Sequence, residues 1–359
     1  MKYKNFSYPS VAGMAILLLL GVCIRGTAQE SCPYVLQTGC QLELVGFPVM
    51  APALDSGTVL SVNRNVVNWS PTFQDKPFGS ALSLVGKYYA EVVAPGSHIW
   101  LGHRFELDEA ATRGRTDHGL VIATSLLNTK GLPDSSLAGA QLEVRPHLTI
   151  EGLWGETLRN RILYGGEKDV SFSFSVAAPG TAAGTRSVTA LLQRTTNDLG
   201  WIDSSARTPV TQLMLIPPCT SVGVSFGQRR GSSLSYSGVS RSWPTAAPLH
   251  AGANLLAYPY PKDMRLGVDW GTSREGFQGL SRPSPAQDRI DLLEGTSRQS
   301  FAPEIQANRR IRWRLLDPIY TNTRWATPSS YLDTLPVGQG FILRKNKANP
   351  NHFFYPPQK

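Results

Sequence analysis

Val170-Ser171-Phe172-Ser173-Phe174-Ser175-Val176 alternates apolar and small polar side chains without a break. Successive side chains of an extended chain point to opposite faces, so this stretch reads as a β-strand with one buried face. Gly57-Thr58-Val59-Leu60-Ser61-Val62 and Tyr88-Tyr89-Ala90-Glu91-Val92-Val93 read the same way. Around such stretches, 33 Gly and 26 Pro punctuate a chain of 359 residues, which favours short strands and turns over long amphipathic helices. The expected fold class is all-β, with one short helix around Ser187 to Arg194.

The chain also echoes itself. Ala138-Gly139-Ala140-Gln141-Leu142 returns as Ala251-Gly252-Ala253-Asn254-Leu255, and Pro146 returns as Pro259, both displaced by 113 positions. Trp154-Gly155 then corresponds to Trp270-Gly271, Asp169 to Asp288 and Trp201 to Trp325. Gly223-Val224-Ser225-Phe226 corresponds to Gly340-Phe341-Ile342-Leu343, followed each time by basic residues and an aromatic. Self-similarity at a nearly fixed spacing marks a repeated structural unit. The expected organisation is an N-terminal β domain over 30–137 and two duplicated β-sandwich-like modules over 138–250 and 251–359. Leu44-Val45-Gly46-Phe47-Pro48 faintly echoes Leu255-Leu256-Ala257-Tyr258-Pro259, too short a match to count as a third copy.

Lys2 and Lys4 precede an apolar run from Val11 to Ile24, which gives way to Gly26-Thr27-Ala28-Gln29. This pattern reads as a secretory signal peptide over 1–29. The run is too short to span a bilayer comfortably, and no later stretch is apolar for long enough to do so. Leu20-Gly21-Val22-Cys23 loosely resembles a lipobox, but Val22 stands where such signals have Gly, Ala or Ser. A soluble exported product is therefore expected, whether periplasmic, cell-surface or extracellular. Beyond the signal, Cys32 and Cys40 are spaced to close a small disulfide loop, and Cys219 beside Pro217-Pro218 is expected to be a buried thiol. No Cys-x-x-Cys pair or nearby His accompanies them, so neither a metal nor a cofactor is expected.

The formal charge is +9, and residues 1–29 hold three basic side chains and no acid. Residues 251–359 carry 15 Lys/Arg against 9 Asp/Glu, so the excess charge of the mature chain lies in its last part. An electrostatic partner should meet it there.

Asn254-Leu255-Leu256-Ala257-Tyr258-Pro259-Tyr260-Pro261, then Asp269-Trp270, then Leu335-Pro336-Val337-Gly338-Gln339-Gly340-Phe341-Ile342, resembles a module with an NLxxxPYP…DW…PGQGF pattern. That module occurs in an uncharacterised paralogous family of secreted bacterial proteins. Val337 departs from the pattern, as does Ser221-Val222-Gly223 in the first copy. The resemblance implies export and β architecture; the family has no assigned catalytic residues to carry over.

Asp55-Ser56-Gly57-Thr58 looks like half of an aspartic-protease dyad, which needs a second such turn to share a proton. Asp269-Trp270-Gly271-Thr272 has Trp where that turn needs Ser or Thr, so ordinary turn chemistry is the better reading. His98 and His103 lie five apart near Glu106 and Asp108, a spacing that sends strand side chains to opposite faces. His147 and His118 read as a packing and a turn residue. No nucleophile elbow or phosphate-binding loop is present, and a nucleic-acid partner is not expected without a recognised module. Catalysis is not expected; the alternative reading is an extracellular polysaccharide hydrolase using dispersed carboxylates such as Glu151, Glu156 and Asp169. A third reading is a structural subunit of a surface assembly, recruiting a protein partner through exposed strand edges.

The strongest binding feature is Arg310-Ile311-Arg312-Trp313-Arg314-Leu315, whose period of two puts three guanidinium groups on one strand face. Such a ladder repels itself unless solvated or matched by anions. It is either a protected edge or a contact for an anionic polysaccharide or envelope polymer. Tyr258 and Tyr260 share a face if extended and form a second candidate, a small aromatic platform, although core packing would also use them. The expected function is a noncatalytic surface- or matrix-associated protein.

Overall fold

The computed structural model describes residues 43–72, 76–83, 87–125, 127–154, 156, 170–177, 185–194, 199–203, 215–226, 238–294, 297–319, 324–349 and 352–356, with backbone alone over 170–203. Residues 1–29, expected as a signal peptide, and Cys32, Cys40 and Asp169 lie outside these residues. Among the described residues the chain is all-β, with 45% strand, 9% helix and no helix of seven or more residues.

Strands β1 (Glu43–Gly46) and β2 (Val49–Met50) lead into β3 (Asp55–Asn63), β4 (Val66–Pro71), β5 (Tyr88–Ala94), β6 (Arg104–Glu106), β7 (Gly119–Val121) and β8 (Gln141–Pro146). The last six form one antiparallel sheet in the order β6-β5-β8-β3-β4-β7. Alternation along these strands gathers Val59, Trp69, Ala90, Val92, Phe105, Leu142 and Val144 into a core closed by Phe78, Leu82, Trp100 and Leu137. The boundary expected at 137/138 cuts this sheet, because β8 pairs with both β3 and β5.

The chain continues through β9 (Leu148–Thr149), β10 (Val170–Ala177), β11 (Thr185–Arg194), β12 (Leu199–Asp203), β13 (Leu215–Ile216) and β14 (Ser221–Phe226). A second sheet has the order β1-β14-β10-β11-β12, so its first strand comes from far upstream. The segment 187–194, expected as a helix, is a strand paired with β10 from Val170↔Leu192 to Ala177↔Thr185. A continuous partner strand overrides the helical preference of Ala190-Leu191-Leu192-Gln193.

A linker carrying β15 (Val239–Ser240) and β16 (Thr245–Ala246) leads to β17 (Gly252–Ala257), β18 (Met264–Arg265), β19 (Arg289–Glu294), β20 (Ser297–Ile305), β21 (Ile311–Leu315), β22 (Tyr331–Leu332), β23 (Thr334–Leu335), β24 (Gly340–Lys345) and β25 (Phe353–Phe354). The third sheet runs β17-β24-β19-β20-β21-β22. Its core is aromatic: Trp270 stacks on Trp313 (6.2 Å, 9°) and on Phe354 (5.4 Å, 19°), and meets Phe277 and Phe341 edge-on or tilted.

The second and third sheets pair their strands in the same order. β1 and β10 flank β14 as β17 and β19 flank β24, and β9 pairs with β13 as β18 pairs with β23. By register, Leu44-Val45-Gly46 holds the place of Leu255-Leu256-Ala257, and Trp201 holds the place of Trp313 rather than of Trp325. The match of Ala138–Leu142 to Ala251–Leu255 is only local: in each, a glycine with left-handed φ (Gly139 +84°, Gly252 +92°) turns the chain into a strand. Gly46 and Leu148 are separated by 101 residues, Ala257 and Met264 by six. The β3–β8 sheet is thus an excursion from the connection between β1 and β9.

The second and third sheets meet reciprocally. Gly46 N–H donates to Gly338 O (2.7 Å) and Ala257 N–H to Cys219 O (2.9 Å), with matching bridges Val45↔Gln339 and Thr220↔Leu256. Cys219, buried as expected, has φ +68° where its counterpart Gly338 has +79°. A Cβ on Gly46 would lie 2.1 Å from Ala257 Cβ, and one on Gly340 would lie 2.4 Å from Ser221 Cβ. At each of these contacts one partner must be glycine.

The linker fastens the excursion to the other two sheets. Arg241 pairs with Glu91 at 2.9 Å, the side chains being 3% and 0% exposed. Trp243 packs with Met50 and Val239, and Tyr260 OH donates to Trp243 O (2.8 Å).

Candidate binding face of the third sheet

The β20–β21 hairpin builds the face that carries the arginine ladder. Its tip closes with Arg309 N–H donating to Gln306 O and Gln306 N–H to Arg310 O, both 2.8 Å, with Arg309 at φ +63°. Arg309 and Arg310 are exposed there. Beyond the tip, alternation acts as the sequence predicts. Ile311 and Trp313 enter the core, and Arg312 and Arg314 stand on the opposite face.

The register puts Glu304 opposite Arg312 and Tyr331 beside Arg314. Glu304 is buried, and its carboxylate accepts from Arg314 Nη1 (2.7 Å), Gln306 Nε2 (2.6 Å) and Tyr331 OH (3.1 Å). Arg314 also donates to Ser329 Oγ (2.6 Å) and lies 5.4 Å from the Trp325 ring centre. Arg312 grips Asp333 with both carboxylate oxygens at 2.8 Å and lies 3.9 Å over the Tyr331 ring. The ladder therefore carries its own anions and two guanidinium–ring pairs, which cancels the self-repulsion.

The two ion pairs differ in kind. Arg314 and Glu304 have side chains 19% and 11% exposed, so this pair is part of the fold. Arg312 and Asp333 are 42% and 62% exposed, and an exposed pair contributes only ~0–1 kcal/mol. Further along the same face, fully buried Asp291 accepts from Arg298 and Arg344, each at 2.7 Å, and from Ser300 Oγ at 2.7 Å. Burial pulls Arg289 on the same strand below its ordinary value, with Asp291 opposing.

The tyrosine platform does not form. Tyr258 and Tyr260 are buried, and their hydroxyls donate to Tyr355 O (2.9 Å) and to Trp243 O and Phe354 O. Extended backbone keeps them neighbours, but the chain end and the linker cover them. Burial first, then nearby Asp269, holds the Tyr258 hydroxyl well above its ordinary range.

The weighed catalytic residues serve the fold. Asp55 Oδ1 accepts from the backbone N–H of Ser56 (2.7 Å) and Thr72 (3.1 Å). Asp269 is engaged by Arg265 at 2.7 Å. His103 is buried against Thr129 (3.0 Å); burial, then Lys130 and Arg104, push its pKa down to about 4. His147 is buried and bonds Glu106 at 2.8 Å. Among the described residues, no group of three or more His, Cys, Asp or Glu is placed to hold a metal ion, and no helix is long and apolar enough to cross a membrane.

Glu304, Asp333, Trp325 and Tyr331 are the members that sequence reasoning missed. Glu304 was within reach: pairing β20 with β21 around Gln306-Ala307-Asn308-Arg309 sets it against Arg312. The other three arrive from a separate segment, and local pattern does not announce them. Comparison with protein-family models, with curated proteins and with solved structures gives no match.

Proposed function

We propose that the chain is a noncatalytic exported protein of the cell surface or extracellular matrix that holds an anionic polymer on the outer face of its third sheet. In this reading the second and third sheets are two copies of one β module, and the β3–β8 sheet is an insertion into the first. The observation that carries the binding assignment is the exposed Arg312–Asp333 pair over Tyr331, next to the basic tip Arg309-Arg310. A ligand carboxylate or sulfate can take the place of Asp333 on a guanidinium already oriented by the ring, so little side-chain ordering remains to oppose binding. Affinity comes from complementary charge and falls with salt.

The test is affinity electrophoresis through gels containing polygalacturonate or, as a control, neutral dextran. The wild-type chain should be retarded by the acidic polymer only, and retardation should fade between about 0.05 and 0.5 M salt. Arg309→Ser/Arg310→Ser/Arg312→Ser should migrate freely, while Arg274→Ser/Arg282→Ser, elsewhere on the same sheet's loops, should behave as wild type. Equal retardation of all three proteins, or none at any salt, contradicts the assignment.

A further inference from the structure

The β3–β8 sheet has a second face that its core does not use. Next to β6 it is buried and charged: Glu91 lies opposite Arg104, and Tyr89 opposite Glu106 and Arg145. Toward β4 the face opens into a groove of about 300 Å³ lined by Ser56, Gly57, Thr58, Ser70, Thr72, Val93, Gln141, Leu142 and Glu143.

The registers arrange its polar side chains as a grid. Glu143 and Ser56 are opposed across β8 and β3, and Thr72 N–H donates to Ser56 O (2.7 Å), giving the row Glu143, Ser56, Thr72. Gln141, Thr58 and Ser70 are opposed in the next row. Same-face rows of a sheet lie ~7 Å apart and neighbouring strands ~4.8 Å apart. Six short hydrogen-bonding groups thus tile a patch without a basic or aromatic side chain among them.

Two β-bulges bracket the grid. Leu60 is the extra residue between Val59 and Ser61 in the β3–β4 pairing, and Val93 is the extra residue between Val92 and Ala94 in the β5–β8 pairing. Neither lies on an edge strand of this sheet. Next to functional sites, bulges re-aim a side chain. Leu60 is 64% exposed.

We propose that this groove is a binding site for a neutral glycan chain. Ser and Thr hydroxyls and the Gln141 amide both donate and accept, and the Glu143 carboxylate accepts, which matches sugar hydroxyls. Glu143 is also paired to Arg145, which fixes the carboxylate in place. Ser56 and Thr72 already bond each other, and an acidic polymer would meet the Glu143 carboxylate with no basic group in the lining. The volume is at the lower end for ligand sites, suited to one or two sugar rings. This site is separate from the arginine face, so the two assignments stand or fall independently.

The experiment is calorimetric titration of the full chain with maltohexaose, cellohexaose, xylohexaose and mannohexaose. At least one should bind with an affinity that changes little with salt. Gln141→Ala/Thr58→Val should weaken it at least tenfold, with the unfolding midpoint unchanged, and Arg309→Ser/Arg310→Ser/Arg312→Ser should leave it intact. Absence of binding by all four sugars, or binding that the groove variant leaves intact, overturns the proposal; loss in the arginine variant alone would reassign the sugar to the other face.

Discussion

Replacing Arg241 by Met should remove a large part of the chain's stability, and replacing Glu91 as well should restore most of it. Arg241 comes from the linker and Glu91 from β5; they meet at 2.9 Å with side chains 3% and 0% exposed. Around them lie Arg104, Glu106, Glu143 and Arg145, so three arginines balance three glutamates. The setting is dry: burial, then Glu91, push the Tyr89 hydroxyl up to about 12. Arg241→Met strands a buried carboxylate, and breaking one side of such a pair costs ~3–5 kcal/mol. That compares with about 5–15 kcal/mol for a whole domain. Glu91→Leu strands the guanidinium at a similar cost. The double variant removes one charge of each sign and should lie within ~1 kcal/mol of wild type, a strong favourable coupling. Urea unfolding at constant m-value gives all four stabilities. A cost below ~1 kcal/mol for Arg241→Met, or a double variant that simply sums the singles, would refute the buried-pair reasoning.

Gly46→Ala should destabilise by ~1–3 kcal/mol, since its Cβ meets Ala257 Cβ at 2.1 Å, and adding Ala257→Gly should recover most of the loss in thermal unfolding. Trp313→Ala should cost ~3–5 kcal/mol by emptying the stack on Trp270, again read by urea unfolding. His352 should make the fold acid-sensitive. Burial, then Lys345, push its pKa down from the ordinary 6.5 to about 3. In acid the unfolded chain takes up a proton that the folded one refuses. The stabilisation is therefore full above pH ~6.5 and declines toward pH ~3, by on the order of 3 kcal/mol at pH 4. His352→Gln, which can still accept from Trp270 Nε1, should flatten the stability–pH curve over that window.

Strands were legible because period-two alternation is local, most clearly in β10, where Val and Phe alternate with Ser, and in β21, where Ile, Trp and Leu alternate with Arg. The faces of Arg312, Trp313 and Arg314 followed from the same rule. What was hidden was pairing at long range. β1 joins β14 across the whole β3–β8 excursion, and five residues around Leu44 carry too little information to reveal it. A shared glycine turn at Gly139 and Gly252 gave a louder but purely local match. The tyrosines misled for a related reason: alternation sets their side, but Trp243 and Phe354 decide whether that side is covered. Likewise Asp333 reaches the ladder only through the fold, whereas Glu304 is set against Arg312 by the local β20–β21 hairpin.

The most direct test of the proposed function is co-sedimentation of the purified chain with native cell envelope across a salt series, beside Arg309→Ser/Arg310→Ser/Arg312→Ser. Retention that fades with salt and is lost in the variant is the predicted result. Equal retention of both proteins, or of neither, would contradict an anion-binding role for this face.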